Sequence, residues 1–147
     1  MSGLTAARTA DGVGGQLWFS QSLAGLLAEW DKPMAHAGLR TWVAGARRRV
    51  DEHVTLWRQQ LPESVLLEPD DRVRAPEGVD TLMEAAAYAG GDAPEQSRAL
   101  ARLLDAARTD LDELLAEAGP VSDGALLRSG ALVRADLERL AQTLPTC

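Results

Sequence analysis

The sequence predicts an all-α protein, a four-helix bundle with a long crossover that carries a short helix. Three observations lead there. Apolar residues recur at steps of three and four in four long segments, the spacing that keeps one helical face turned inward. Runs of β-branched residues, which would signal strands, are nearly absent. The links between segments run short, long, short. Short links make antiparallel neighbours, and a link of roughly 30 residues has room to pass from one hairpin to the other.

Residues 1–10 are small and polar and are expected to be disordered. Asp11, or a residue near it, starts the first helix, whose stripe is Phe19, Leu23, Leu26 and Trp30, broadened by Leu27. Asp31 is positioned to cap the second helix, with Pro33 in its first turn, where a missing N–H costs nothing. That helix carries His36, Leu39, Val43, Ala46, Val50, His53 and Trp57 on one heptad-spaced face, and it stops at Leu61–Pro62. Both histidines of the chain therefore fall on a face that should be buried.

Residues 62–78 hold three prolines and many charges and are expected to form a loop. A short helix follows, with Val79, Leu82, Met83 and Ala86 on one side, and Gly90–Gly91 ends it. Asp92-Ala-Pro-Glu95 resembles a capping box with an acid in place of Ser or Thr. The third long helix then presents Leu100, Leu104, Ala107, Leu111, Leu114 and Ala118. Gly119–Pro120 stops it, and Ser122 or Asp123 caps the fourth, whose stripe is Leu126, Gly130, Val133, Leu137, Leu140 and Leu144. Gly130 inside that stripe implies close approach of a neighbouring helix, because glycine there otherwise costs about 1 kcal/mol relative to alanine. Gly14–Gly15 reads as a helix breaker, and neither glycine pair is a phosphate loop.

A length of 147 residues fits one domain over residues 1–147. The net charge of -7 argues against nucleic-acid binding. The basic run Arg47–Arg48–Arg49 is followed by Asp51 and Glu52, which suit a solvated helix face. Cys147 is the one cysteine, which excludes a disulfide framework and a cysteine-based zinc site within the chain. No apolar run approaches the roughly 18 residues of a membrane span, and no leader pattern opens the chain. The expected compartment is the cytoplasm.

His53-Val-Thr-Leu-Trp57-Arg-Gln-Gln-Leu61-Pro62 is similar to an HxxLWxxxLP stretch of actinobacterial ferritin-like proteins of unassigned function. Asp123-Gly-Ala-Leu-Leu-Arg128 with Arg134-Ala-Asp136-Leu-Glu138 resembles the last helix of that group. The resemblance covers most of residues 12–144 and implies a bundle of ferritin-like topology. Active relatives of that kind use a carboxylate-bridged metal pair, with one Glu from each of two helices and Glu-x-x-His from the other two. Here Val50 stands three residues before His53, Asp136-x-x-Arg139 puts a cation where the second imidazole would be, and the third long helix has no carboxylate in its stripe. A degenerate metal site, with no cofactor, is the expectation.

No nucleophile constellation is present, so a catalytic set is not assigned. The candidate ligand-binding residues are His53, Trp57, Trp30 and Trp18. All four tryptophans, Trp42 included, lie in the first hairpin, and each buried indole N–H needs a partner. The two histidines are 17 residues apart on one helix, about 25 Å, so they cannot share an ion. The expected function is non-catalytic: a bundle that binds a partner protein or assembles as a homodimer, with Leu103 and Leu115 supplying apolar surface. The alternative is a binder or enzyme of a small apolar molecule, with an interior pocket lined by His53 and tryptophans. A further alternative is a divergent di-metal protein using Glu29, Glu52, His53 and Asp136.

Overall fold

In the computed structural model, which describes residues 3–30, 36–61 and 69–147, the chain is all-α. Four long helices, α1 (Ala6–Trp30), α2 (Ala37–Gln60), α4 (Ala93–Glu117) and α5 (Gly124–Thr143), form the bundle. A short helix, α3 (Val79–Ala87), and a 3-10 turn at Pro69–Arg72 belong to the crossover between α2 and α4. No described helix is long and apolar enough to cross a membrane.

The helices pack as a ring in the order α1, α2, α5, α4. Side-chain contacts fix their directions. Arg8 meets Glu117 and Gln16 meets Ala107, so α1 and α4 run antiparallel. Trp42 meets Leu140 and His53 meets Asp136, so α2 and α5 do too. It follows that α2 and α4 are parallel and diagonal, and the crossover must return the full length of the bundle. It climbs over α1: Arg72 pairs with Asp11 at 2.8 Å, and α3 then packs on α4 and α1.

The predicted stripes turn inward, apart from His36, which is exposed, and Leu82, Met83 and Leu144, which are partly covered. Phe19, Leu23, Leu27, Val43, Val50, Trp57, Leu104, Leu111, Val133 and Leu137 all belong to one buried cluster. Gly130 lies under Leu115 of α4, where a Cβ would sit 2.5 Å from that leucine's Cδ2, the close approach its position implied.

Several boundaries differ from the sequence expectation. α1 begins at Ala6, so the segment expected to be disordered already contains helix, with Ala10 buried. Gly14–Gly15 is no breaker. Both glycines lie buried mid-helix because the crossover passes over them: a Cβ on Gly14 would lie 2.0 Å from the carbonyl oxygen of Arg72, and one on Gly15 would press on Pro76. α2 starts after His36, whose Nδ1 accepts from the Leu39 N–H at 3.0 Å. Asp31 and Pro33 lie outside the described residues.

Asp92 does cap α4, accepting from the Glu95 N–H. Asp123 precedes α5 but spends its carboxylate elsewhere. Its Oδ2 accepts from the N–H groups of Leu4 at 3.0 Å and Gly119 at 2.7 Å, tying the start of α1 to the α4–α5 turn. Those two donors, Leu4 first, hold the Asp123 carboxyl below the usual aspartate range.

Candidate functional site

His53 sits in the middle of the α2 face that α5 covers. It is 3% exposed. A buried imidazole must find a hydrogen-bond partner. Asp136 of α5 provides it, with Nε2 and Oδ2 2.9 Å apart. Asp136 lies beside the apolar stripe of its helix, near enough to the α2–α5 seam to reach inward while keeping 28% of its side chain in solvent.

Trp57, one turn beyond His53, is completely buried, and its indole Nε1 has no partner among the described residues. Trp42, by contrast, donates to the Leu140 carbonyl at 3.1 Å. Trp30 is buried at the far end of α1, next to the start of α2, and Trp18 is half-buried against the core. The α2 rise from Ala37 to Trp57 is roughly 30 Å, so Trp30 and Trp57 stand at opposite ends of the bundle and cannot line one pocket. Of the four candidate ligand-binding residues, His53 and Trp57 are neighbours one turn apart on α2, and Trp30 lies far from both.

A second polar pair occupies the opposite seam. Gln16 of α1 is 1% exposed, and its Nε2 donates to the Ala107 carbonyl at 3.1 Å and to Asp110 Oδ2 at 3.0 Å. Gln16 Oε1 is buried without a partner. Burial is the largest influence on Asp110 and holds its carboxyl above the usual aspartate range, against the opposing hydrogen bond from Gln16. Asp110 also borders a cleft of about 370 Å³ between α1 and the crossover, whose rim carries Arg8, Asp11 and Arg72. Those three charges are already engaged, Arg8 with Glu117 at 2.7 Å and Arg72 with Asp11.

The Gln16–Asp110 pair was not anticipated. Nothing in the local sequence marks Gln16 as inward: α1 is buried on most of its circumference, so its polar positions do not fall on an outer face. Measured from the α1–α2 turn, Gln16 is 14 residues before Trp30 and His53 is 16 residues after Ala37, so both stand roughly 21–24 Å along the bundle. The two hydrogen-bonded pairs, Gln16–Asp110 and His53–Asp136, thus link the four long helices two by two.

That arrangement does not fit a carboxylate-bridged metal pair. The set is one amide, one imidazole and two carboxylates, each carboxylate bonded to its neighbour on the adjacent helix, where the metal pair needs anionic oxygens from all four helices. Glu29 and Glu52, offered as further ligands, are exposed on the surface. Among the described residues no group of three or more His, Cys, Asp or Glu side chains gathers closely enough to hold an ion.

No protein family, curated protein or solved structure matches the chain.

Proposed function

We propose that this chain is a non-catalytic bundle of the ferritin-like kind that acts by binding another protein chain, a second copy included. The observation that supports this most is the closed His53–Asp136 pair. The single inward imidazole is 3% exposed, and its Nε2 is bonded to a carboxylate and holds α2 against α5. Parallel α2 and α4 with a full-length crossover agree with a ferritin-like ancestry whose metal layer has been replaced by two helix-linking pairs.

The surface available for a partner is not the one first expected. Leu103 is fully buried and offers no surface, and Leu115, packed over Gly130, is only partly exposed. The large apolar side chains that do face solvent are Tyr88, Val121 and Leu132. Light scattering on the purified protein, with site-specific photocrosslinking from these positions in the producing cell, tests the proposal. A strict monomer that crosslinks to no other protein overturns it.

One observation favours a second reading, in which the chain holds a small molecule in its core. The Trp57 indole beside His53 is a hydrogen-bond donor with nothing to donate to among the described residues. Quenching of Trp57 fluorescence by an aromatic or acyl ligand, lost in Trp57→Phe, supports this reading; no quenching by any member of such a panel removes it.

A further inference from the structure

The ionised side chains are segregated by helix. α2 carries Arg40, Arg47, Arg48, Arg49 and Arg58 against Asp51 and Glu52, and its ring neighbour α5 carries Arg128, Arg134 and Arg139 against Asp136 and Glu138. α4 carries six carboxylates against three arginines, and α3, packed on it, adds Asp80 and Glu84 with no cation. A protein of net charge -7 therefore has one cationic half, α2–α5, and one strongly anionic half, α3–α4.

Each half also presents apolar surface of its own shape. On α5, Ala125, Leu132 and Ala135 form an outward strip with Leu132 64% exposed, and Arg128 and Arg139 stand on the same strip. Asp136, one turn beyond Leu132, borders the strip and turns its carboxylate to His53. Between α3 and α4 lies a groove of about 400 Å³, walled by Leu82, Ala85, Ala89 and Ala99. Tyr88 stands at its rim, 83% exposed, and Asp92 and Glu95 close one end; Arg102 is the cation on its wall. The strip is convex and basic, and the groove is concave and lies in the anionic half, although Glu95 at its end is paired with Arg98. Within one chain they cannot meet, because α3 packs on α4 and α1, away from the outward face of α5.

We infer that the chain self-associates head to tail, the α5 strip of one copy seating Leu132 in the α3–α4 groove of the next. Charge selects this pairing. Two α5 strips facing each other would gather four arginines along one seam, and two grooves would set one anionic α3–α4 half against another, whereas strip on groove sets the cationic α2–α5 half of one copy against the anionic α3–α4 half of the next. Such a contact is heterologous. It closes into a ring if its rotation permits and otherwise extends into a chain of copies. The inference rests on the protein-binding function proposed above and names its partner as this same protein.

Sedimentation velocity over a wide range of concentration, at low and at high salt, tests it. The wild type is expected to associate with rising concentration, and salt is expected to weaken that association. Leu132→Asp disables the strip and Ala85→Arg disables the groove. Both positions are exposed, and unchanged circular dichroism melts confirm the folds. Each variant alone is expected to sediment as a monomer. An equimolar mixture retains one intact strip and one intact groove, so it is expected to form a one-to-one dimer and nothing larger. Association of the wild type with no dimer from the mixture overturns the head-to-tail pairing. A wild type that remains monomeric at low salt overturns it as well; if such a monomer still crosslinks to a different protein, the broader function survives the loss of this partner.

Discussion

His53 Nε2 and Asp136 Oδ2 stand 2.9 Å apart and join α2 to α5 across 83 residues of sequence. Breaking the pair from its two sides has unequal consequences. Asp136→Leu strands a buried imidazole, whereas His53→Leu leaves a carboxylate that already reaches water. Each is expected to destabilise by about 1–3 kcal/mol, the aspartate substitution more. Urea denaturation of both single variants and the double variant gives the coupling energy. A coupling of zero would show that the pair contributes nothing beyond packing.

Gly14→Ala tests the crossover strap. Alanine in an open helical position normally stabilises by about 0.5–1 kcal/mol over glycine. At Gly14 the new Cβ would collide with the Arg72 carbonyl, a backbone atom that cannot swing aside, so a loss of about 1–3 kcal/mol is expected. Gly25→Ala and Gly45→Ala, where a Cβ meets nothing within 4 Å, are the controls and should gain stability. A Gly14→Ala melting temperature at or above that of the wild type contradicts the strap geometry.

The two buried indoles should respond differently to loss of nitrogen. Trp42→Phe removes a hydrogen bond to the Leu140 carbonyl and is expected to cost about 1 kcal/mol beyond the loss of packing. Trp57→Phe removes a donor that has no partner among the described residues, so its cost should be smaller. The reverse order in denaturation experiments would mean that the Trp57 N–H is satisfied by a bound molecule.

Asp110 and Asp123 pull stability in opposite directions with pH. Because the folded state raises the Asp110 pKa, the native protein holds that proton more tightly than the unfolded chain. The group's contribution therefore falls as pH rises from the ordinary aspartate range through the raised value. Asp110→Asn should be more stable than wild type at neutral pH, by an amount that shrinks in acid. Asp123 has a lowered pKa, so its contribution is full above the ordinary range and is lost as pH falls through the lowered value. Asp123→Asn should be less stable at neutral pH, with the difference vanishing in acid. Melting midpoints of the three proteins across pH 2–8, roughly the span over which carboxylate linkage acts, check both signs.

The helices were legible in the sequence because their faces are periodic and the pattern records which side must leave water. Val43, Val50 and Trp57, or Leu104, Leu111 and Leu114, are inward for that reason alone. His53 could be placed inside by the same argument, but its partner could not be named. Asp136 lies beside its stripe, and only the packing angle of α5 on α2 decides whether such a residue turns inward or outward. Gln16 was invisible because α1 is covered by α2, α4 and the crossover together, which erases the polar face that periodicity needs. Gly14–Gly15 misled for a related reason. Glycine pairs end helices by local conformational freedom, but here what they accommodate is a backbone segment about 60 residues away in sequence. His36 shares the heptad spacing of the second helix but lies at its start, where solvent is close, and there it caps the helix, since a ring nitrogen can accept from the Leu39 N–H as a carboxylate would.

The parallel arrangement of α2 and α4 has a consequence for how the chain acquires its shape. The first hairpin closes over a short turn, and so does the second, so both can form early from neighbouring residues. Their docking is a different kind of event. Arg72 must come to rest on Gly14 before α3 can lie along the flank of α1 and deliver α4 in the right direction. The slow step of folding is therefore expected to be the laying of the strap. Substitutions at the Gly14–Arg72 crossing should retard refolding, and those that weaken the early α1–α2 and α4–α5 packing should leave the unfolding rate nearly unchanged.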